Sequence, residues 1–132
     1  MRSPEQLDQA RAFAIAAARA MKDDRCSNVR VLDVVGLTSI CDFIVLGTGT
    51  SERQMRTVVK SLFEVAEETG FDHMGGHRRD SAGQSSNWVA LDFIDVVTHV
   101  FDPDAREFYD LDNLYGDAKD VAWEEIPSSS DG

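Results

Sequence analysis

Three imidazoles, one close pair of carboxylates and one glycine-rich turn are the groups in this chain whose types and spacing could do chemistry. His73 and His77 stand four residues apart, a spacing that lines up two metal ligands on one helical face. Gly75 and Gly76 between them argue against that helix, and neither cysteine, Cys26 nor Cys41, lies nearby. His99 falls in an apolar run, where an imidazole is more often hydrogen-bonded and partly buried than a ligand. No metal is expected. Asp92 and Asp95 form a pair of carboxylates, but turn residues with polar side chains account for them equally well. Gly47-Thr48-Gly49-Thr50-Ser51 follows an expected strand and opens an expected helix, and helix N-termini bind anions through free backbone N–H groups. The Gly-Lys-Ser/Thr ending and the third glycine of the dinucleotide spacing are both missing, and Glu52 would repel a phosphate. The stretch therefore reads as a structural turn with a cap. Arg53 and Gln54 on the next turn either bind a partner or cap and solvate the helix, and both readings stand. No Gly-x-Ser-x-Gly elbow supports a hydrolase. After Gly49 come Glu52 and a helix, not the Asp-x-Asp strand that metal-dependent nucleotidyl transfer requires. No catalytic residue and no cofactor is expected.

The elements that position these groups follow from periodicity. Asn87 to Phe101 reads as two apolar strands joined by a tight acidic turn at Asp92 to Asp95. Alternation sends Trp88, Ala90 and Asp92 to one face and Val89, Leu91 and Phe93 to the other. The next strand sends Asp95, Val97, His99 and Phe101 one way and Val96, Thr98 and Val100 the other. Both faces are apolar, whereas a sheet wet on one side alternates apolar with polar. One face packs on helices. The other needs cover that the chain looks short of helices to supply, which points to a protein partner. Trp88, Val89, Leu91, Asp92, Phe93, Asp95, Val97, His99 and Phe101 are the candidate partner-binding residues.

Elsewhere, Ser3-Pro4-Glu5-Gln6 starts a helix, with Leu7, Ala10, Ala14, Ala17 and Met21 on one face. Strands are expected at Val29–Val35 and Asp42–Leu46, the second apolar on both sides and so central. Ser51 caps a helix reaching about Thr69, stopped by Gly70, with Met55, Val58, Val59, Leu62, Val65 and Ala66 as its buried stripe. Phe71–Met74 is a short strand, Gly75–Ser86 a flexible loop, and Ala105–Tyr109 and Leu111–Ala118 are helical turns. Residues 1–125 form one domain and Ile126–Gly132 a disordered tail. The fold class is α/β (α+β), a mixed sheet of about five strands with helices mainly on one face.

The chain has 132 residues, enough to bury roughly two-thirds of its unfolded surface. Its net charge is −11, which opposes a grip on phosphate backbones and either suits a basic protein surface or serves solubility alone, and both readings stand. Two cysteines are too few for a disulfide framework. No apolar run approaches a membrane span, and Glu5 and Asp8 interrupt any signal segment, so a cytoplasmic location is expected.

Leu32-Asp33-Val34 with Leu37-Thr38, Cys41-Asp42-Phe43-Ile44-Val45, Gly49-Thr50-Ser51-Glu52-Arg53-Gln54, Trp88-Val89-Ala90-Leu91-Asp92-Phe93, Val97-Thr98-His99-Val100-Phe101, Arg106 to Asp112 and Leu114-Tyr115-Gly116-Asp117-Ala118 occur in an order and spacing that resembles the ribosomal silencing factor (Iojap-related) family. The likeness covers about Leu7 to Val121. It implies a nucleotidyltransferase-like fold without that chemistry, and a homodimer when free. It further implies binding to the large ribosomal subunit through its fourteenth protein, so that the small subunit cannot join and translation is repressed, notably when nutrients are scarce. The stretch Met74 to Gly83 replaces the family's usual Glu-Gly pair and short linker. Arg78 and Arg79 there either touch ribosomal RNA or are solvated.

Overall fold

A computed structural model describes residues 3–71, 77–80 and 87–124, the backbone alone for 77–80. The expectations for Asp72–Met74, for the rest of the Gly75–Ser86 loop and for the tail fall outside these residues. Helix α1 spans Pro4–Asp23. Ser3 Oγ accepts from the Gln6 backbone N–H at 3.1 Å, and Gln6 Oε1 accepts from the Ser3 N–H at 2.8 Å. This reciprocal box satisfies two donors that a helix start leaves open. The buried face is mostly small, with Ala10, Ala14, Ala17 and Ala18 beside Phe13 and Met21. It lets the helix approach the sheet closely.

Strand β1 covers Ser27–Asp33, β2 Phe43–Thr48, β3 His77–Asp80, β4 Trp88–Asp92, β5 Val96–Phe101 and β6 Lys119–Asp120. Helix α2 covers Glu52–Glu68, α3 Pro103–Tyr109 and α4 Leu111–Leu114. The sheet order is β3-β4-β5-β2-β1-β6, with β2 and β5 parallel and every other neighbouring pair antiparallel. The mixed sheet is thus as expected, with a two-residue edge strand added to about five. All six residues of β2 are buried, as a central strand requires.

Three boundaries differ from the sequence reading. Strand β1 starts earlier and includes a register irregularity between Ser27 and Arg30, where Asn28 has φ 49°. Strand β2 runs on through Gly47 and Thr48, which the sequence reading placed in the turn before α2. A Cβ on Gly47 would stand 2.7 Å from Met21 Sδ, so glycine here admits α1 against the strand. His77–Asp80, expected in a loop, pairs with β4 as an edge strand, Arg78 opposite Leu91 and Arg79 opposite Ala90.

The sheet separates two apolar layers. On one face α1 and α2 cover Val31, Phe43, Val45, Val89, Leu91, Phe93, Val96 and Val100. Phe13 stacks on Phe71 at 4.6 Å and meets Phe93 edge-on at 4.9 Å. On the other face Leu32, Ile44, Leu46 and Phe101 pack with Val34, Cys41 and Ala105, and Trp88, Val97, Leu111, Tyr115 and Ala118 sit at the margin. The two long helices share one face, as expected. The short α3 and α4 supply part of the cover on the other, which the sequence reading did not provide for.

An ion-pair cluster pins that cover down. The Arg106 guanidinium donates to Asp112 through Nε at 2.8 Å and Nη2 at 2.9 Å, and its Nη1 donates to Asn28 O and Thr48 Oγ1. Arg30 donates to Asp112 Oδ1 and to Asp120 Oδ1, each at 2.9 Å. The two guanidinium groups, Arg106 first, hold the Asp112 carboxyl down at about 2.

Candidate docking surface

The β4–β5 hairpin sets the geometry. Trp88 pairs with Phe101, Ala90 with His99 and Asp92 with Val97 on one face, while Val89–Val100 and Leu91–Thr98 alternate with them. The closing turn has Phe93 N–H donating to Val96 O at 2.9 Å. Ile94 at its tip has φ 74° and is exposed, and Asp92 Oδ1 accepts its N–H at 2.8 Å.

This register divides the candidate residues. Val89, Leu91 and Phe93 face α1 and α2 and are at most 3% exposed, so they belong to the protein's own core. Asp95 is also buried, and its carbonyl accepts from the Asp42 and Phe43 N–H groups. Phe101 lies fully buried in the second core layer, with the Trp88 ring stacked 5.3 Å away. The expectation that these five residues meet a partner is corrected on this point. Apolarity on both faces could not say which side the chain covers for itself. Trp88, Asp92, Val97 and His99 are half-buried and share the second face.

Trp88 is no bare anchor. Its indole Nε1–H donates to His99 Nδ1 at 3.0 Å, and Tyr109 of α3 packs on its ring at 4.4 Å. His99 also stacks on Phe101 at 5.8 Å. Burial holds the imidazole neutral and lowers its pKa to about 4.

What this face offers to solvent comes largely from the two helical turns that the sequence reading expected but did not count among the partner-binding residues. Tyr109 is 42% exposed, Phe108 78% and Leu114 68%. Phe108 meets Tyr109 edge-on at 5.0 Å. Leu37, exposed before β2, lines a shallow cavity of about 320 Å³ with Thr38, Leu114, Tyr115 and Asp117. Asp104, Glu107, Asp110 and Asp117 are exposed on the same two helices and the turn after them. The result is an aromatic and aliphatic surface with an acidic border. A run of exposed apolar residues in an otherwise polar helix was the signal available for it, at Phe108-Tyr109 and Leu114.

The N-terminus of α2 is filled from within. Ser51 Oγ accepts from Gln54 N–H at 3.1 Å, Gln54 Oε1 accepts from Thr50 N–H at 2.7 Å, and Gln54 Nε2 donates to Asp24 O at 2.8 Å. A Cβ at Gly49 would meet Met55 Cγ at 2.5 Å and Gln54 Oε1 at 2.7 Å. Gln54 is therefore a cap, and two of the donors a phosphate would use, the Thr50 and Gln54 N–H groups, already have an acceptor. His73 lies outside the described residues, as does the side chain of His77. Among the described residues no group of three His, Cys, Asp or Glu could hold a metal ion, and no helix is long and apolar enough to cross a membrane. Cys26 and Cys41 are both buried, and burial pushes the Cys26 thiol up to about 11.

Comparison with known proteins adds the following. A family described as "Ribosomal silencing factor during starvation" matches residues 7–132. The chain is 35% identical over 112 residues to ribosomal silencing factor RsfS of Halalkalibacterium halodurans, covering 85% of this chain and 92% of that one. It is 33% identical over 112 residues to RsfS of Bacillus subtilis, covering 85% and 91%. A crystal structure of a protein from Chromobacterium violaceum superposes with a TM-score of 0.69 at 25% identity, covering 92% of this chain and 98% of that one.

Proposed function

This chain belongs to the ribosomal silencing factor family, and from that premise we propose that it binds the large ribosomal subunit at its fourteenth protein, blocks joining of the small subunit and represses translation, notably under nutrient limitation. It acts in the cytoplasm, by occupying a surface and without catalysis. The observation that carries this reading is the second sheet face, where Phe108 and Tyr109 are exposed beside Trp88 and Leu37 and Leu114 are exposed around a shallow cavity. Exposed apolar surface with a polar rim is the usual form of a protein-docking site. The acidic border and the net charge of −11 suit a basic ribosomal protein and speed the encounter with it. A nucleotide-binding reading would need an open α2 N-terminus, which Gln54 occupies. In the absence of ribosomes the same apolar face is covered by a second copy of the chain, giving a homodimer that competes with docking.

Sedimentation tests the proposal. Mixed with purified large subunits, the protein should travel with them through a gradient, one copy per subunit, and should lower the yield of joined ribosomes when small subunits are added. Protein left at the top of the gradient, or joining that proceeds unchanged, would refute it. Light scattering should find the free protein as a dimer, and a concentration-independent monomer would refute that part.

A further inference from the structure

The docking face has one polar group whose chemistry is decided inside the chain. Trp88 has a single N–H, and it donates to His99 Nδ1 at 3.0 Å. A neutral imidazole that accepts at Nδ1 must carry its proton on Nε2. The ring is also held in orientation, stacked 11° from the plane of Phe101 and opposite Ala90 in the hairpin register. Across from the imidazole on β4 stands only Ala90, the smallest side chain on that strand's face, while Leu46 flanks it on β2. Nε2 is not one of the buried polar atoms that lack a partner, and among the described residues no hydrogen bond occupies it. His99 as a whole is half-buried.

We infer that His99 is the hydrogen-bond donor of the docking face, its Nε2–H held there by the Trp88 indole and aimed at an acceptor oxygen of the partner. This rests on the docking reading above. It also gives Trp88 a different part from that of a polar anchor. Its own N–H is engaged within the hairpin, so a partner meets its ring edge and the imidazole donor next to it. Burial keeps the imidazole neutral at physiological pH, so the donor is uncharged and its recognition is directional.

Nitrogen-15 correlation spectra of the free protein read the tautomer directly. A single Nε2–H tautomer is expected, and Trp88→Phe, which keeps a ring against Tyr109 and Phe101 but deletes the N–H, should release it to a mixture. Two further variants separate the nitrogens. His99→Asn places an acceptor near the Nδ1 position and nothing at Nε2, so it should keep the native Trp fluorescence and bind purified large subunits on the order of tenfold more weakly. His99→Gln reaches the Nε2 position with an amide N–H and should recover most of that loss. A wild-type Nδ1–H tautomer, an unchanged single tautomer in Trp88→Phe, or His99→Asn binding like the wild type would each overturn the inference. Should His99→Asn fail to fold, the spectra and His99→Gln still decide. Wild-type protein that ignores large subunits would remove the docking reading and this one with it. Normal wild-type binding beside an unaffected His99→Asn would remove this one alone.

Discussion

Phe108 and Trp88 sit on one surface but carry different loads. Phe108 is 78% exposed, so Phe108→Ala should move stability by less than about 0.5 kcal/mol. Its loss should still weaken binding to large subunits, by roughly tenfold if it is a central contact. Trp88 shields the fully buried Phe101 and supports Tyr109, so Trp88→Ala should cost about 2–3 kcal/mol in urea unfolding as well as binding. Equal stability losses in the two variants would contradict this division. His99 sets a pH dependence. Its folded pKa of about 4 lies below the ordinary 6.5, so the unfolded chain takes up a proton that the folded chain refuses. Stability should therefore be full above pH 6.5 and fall as pH drops toward 4, by about 3 kcal/mol at about 1.4 kcal/mol per unit. Asp112 acts in a lower window, since its stabilisation is lost only as pH falls from 3.8 toward about 2. Urea melts at pH 7 and pH 4.5 should show the His99 loss, and His99→Gln should flatten it.

At the scale of elements, α3 and α4 are too short to hold themselves, seven and four residues being far below what a free helix needs. They are held by Asp112 between Arg30 and Arg106. Asp112→Ala would leave two half-buried guanidinium groups without that carboxylate, and should cost about 2 kcal/mol. Amide exchange should quicken first in 103–114, and uniform quickening across the sheet would argue against a local clasp. These elements also mark where sequence stopped being enough. The first helix was legible because its cap is local: Ser3, Pro4 and Gln6 announce it within one turn. The central position of β2 was legible from its unbroken apolar run. The Arg30–Asp112 contact joins residues far apart in the chain, so no local pattern carries it. For the same reason alternation identified the two faces of the hairpin but could not show that Val89, Leu91 and Phe93 are covered by α1 and α2, or that Tyr109 lies over Trp88. His77–Asp80 was missed because a four-residue polar edge strand has no apolar period to read.

For the whole molecule, the net charge of −11 makes association with a basic partner a salt-dependent rate. Raising salt from about 0.1 M to about 1 M shortens the screening length from about 10 Å to about 3 Å. The on-rate for large subunits should fall several-fold or more over that range while the off-rate changes less, as stopped-flow measurement would show. A flat on-rate would remove steering from the account. The parallel pairing of β2 with β5 has a further consequence for how the chain reaches its shape. The pairs β1–β2 and β4–β5 can each form early from neighbouring sequence, but Phe43 must find Val96 across some two-fifths of the chain. Among the strand pairings longer than two residues, closure of that seam spans the most sequence, so it should limit the folding rate. The face bearing Trp88, Tyr109 and Leu37 draws on both sides of the seam and does not exist until it shuts. A nascent chain still missing its last third therefore has no docking face to present to the ribosome that is making it.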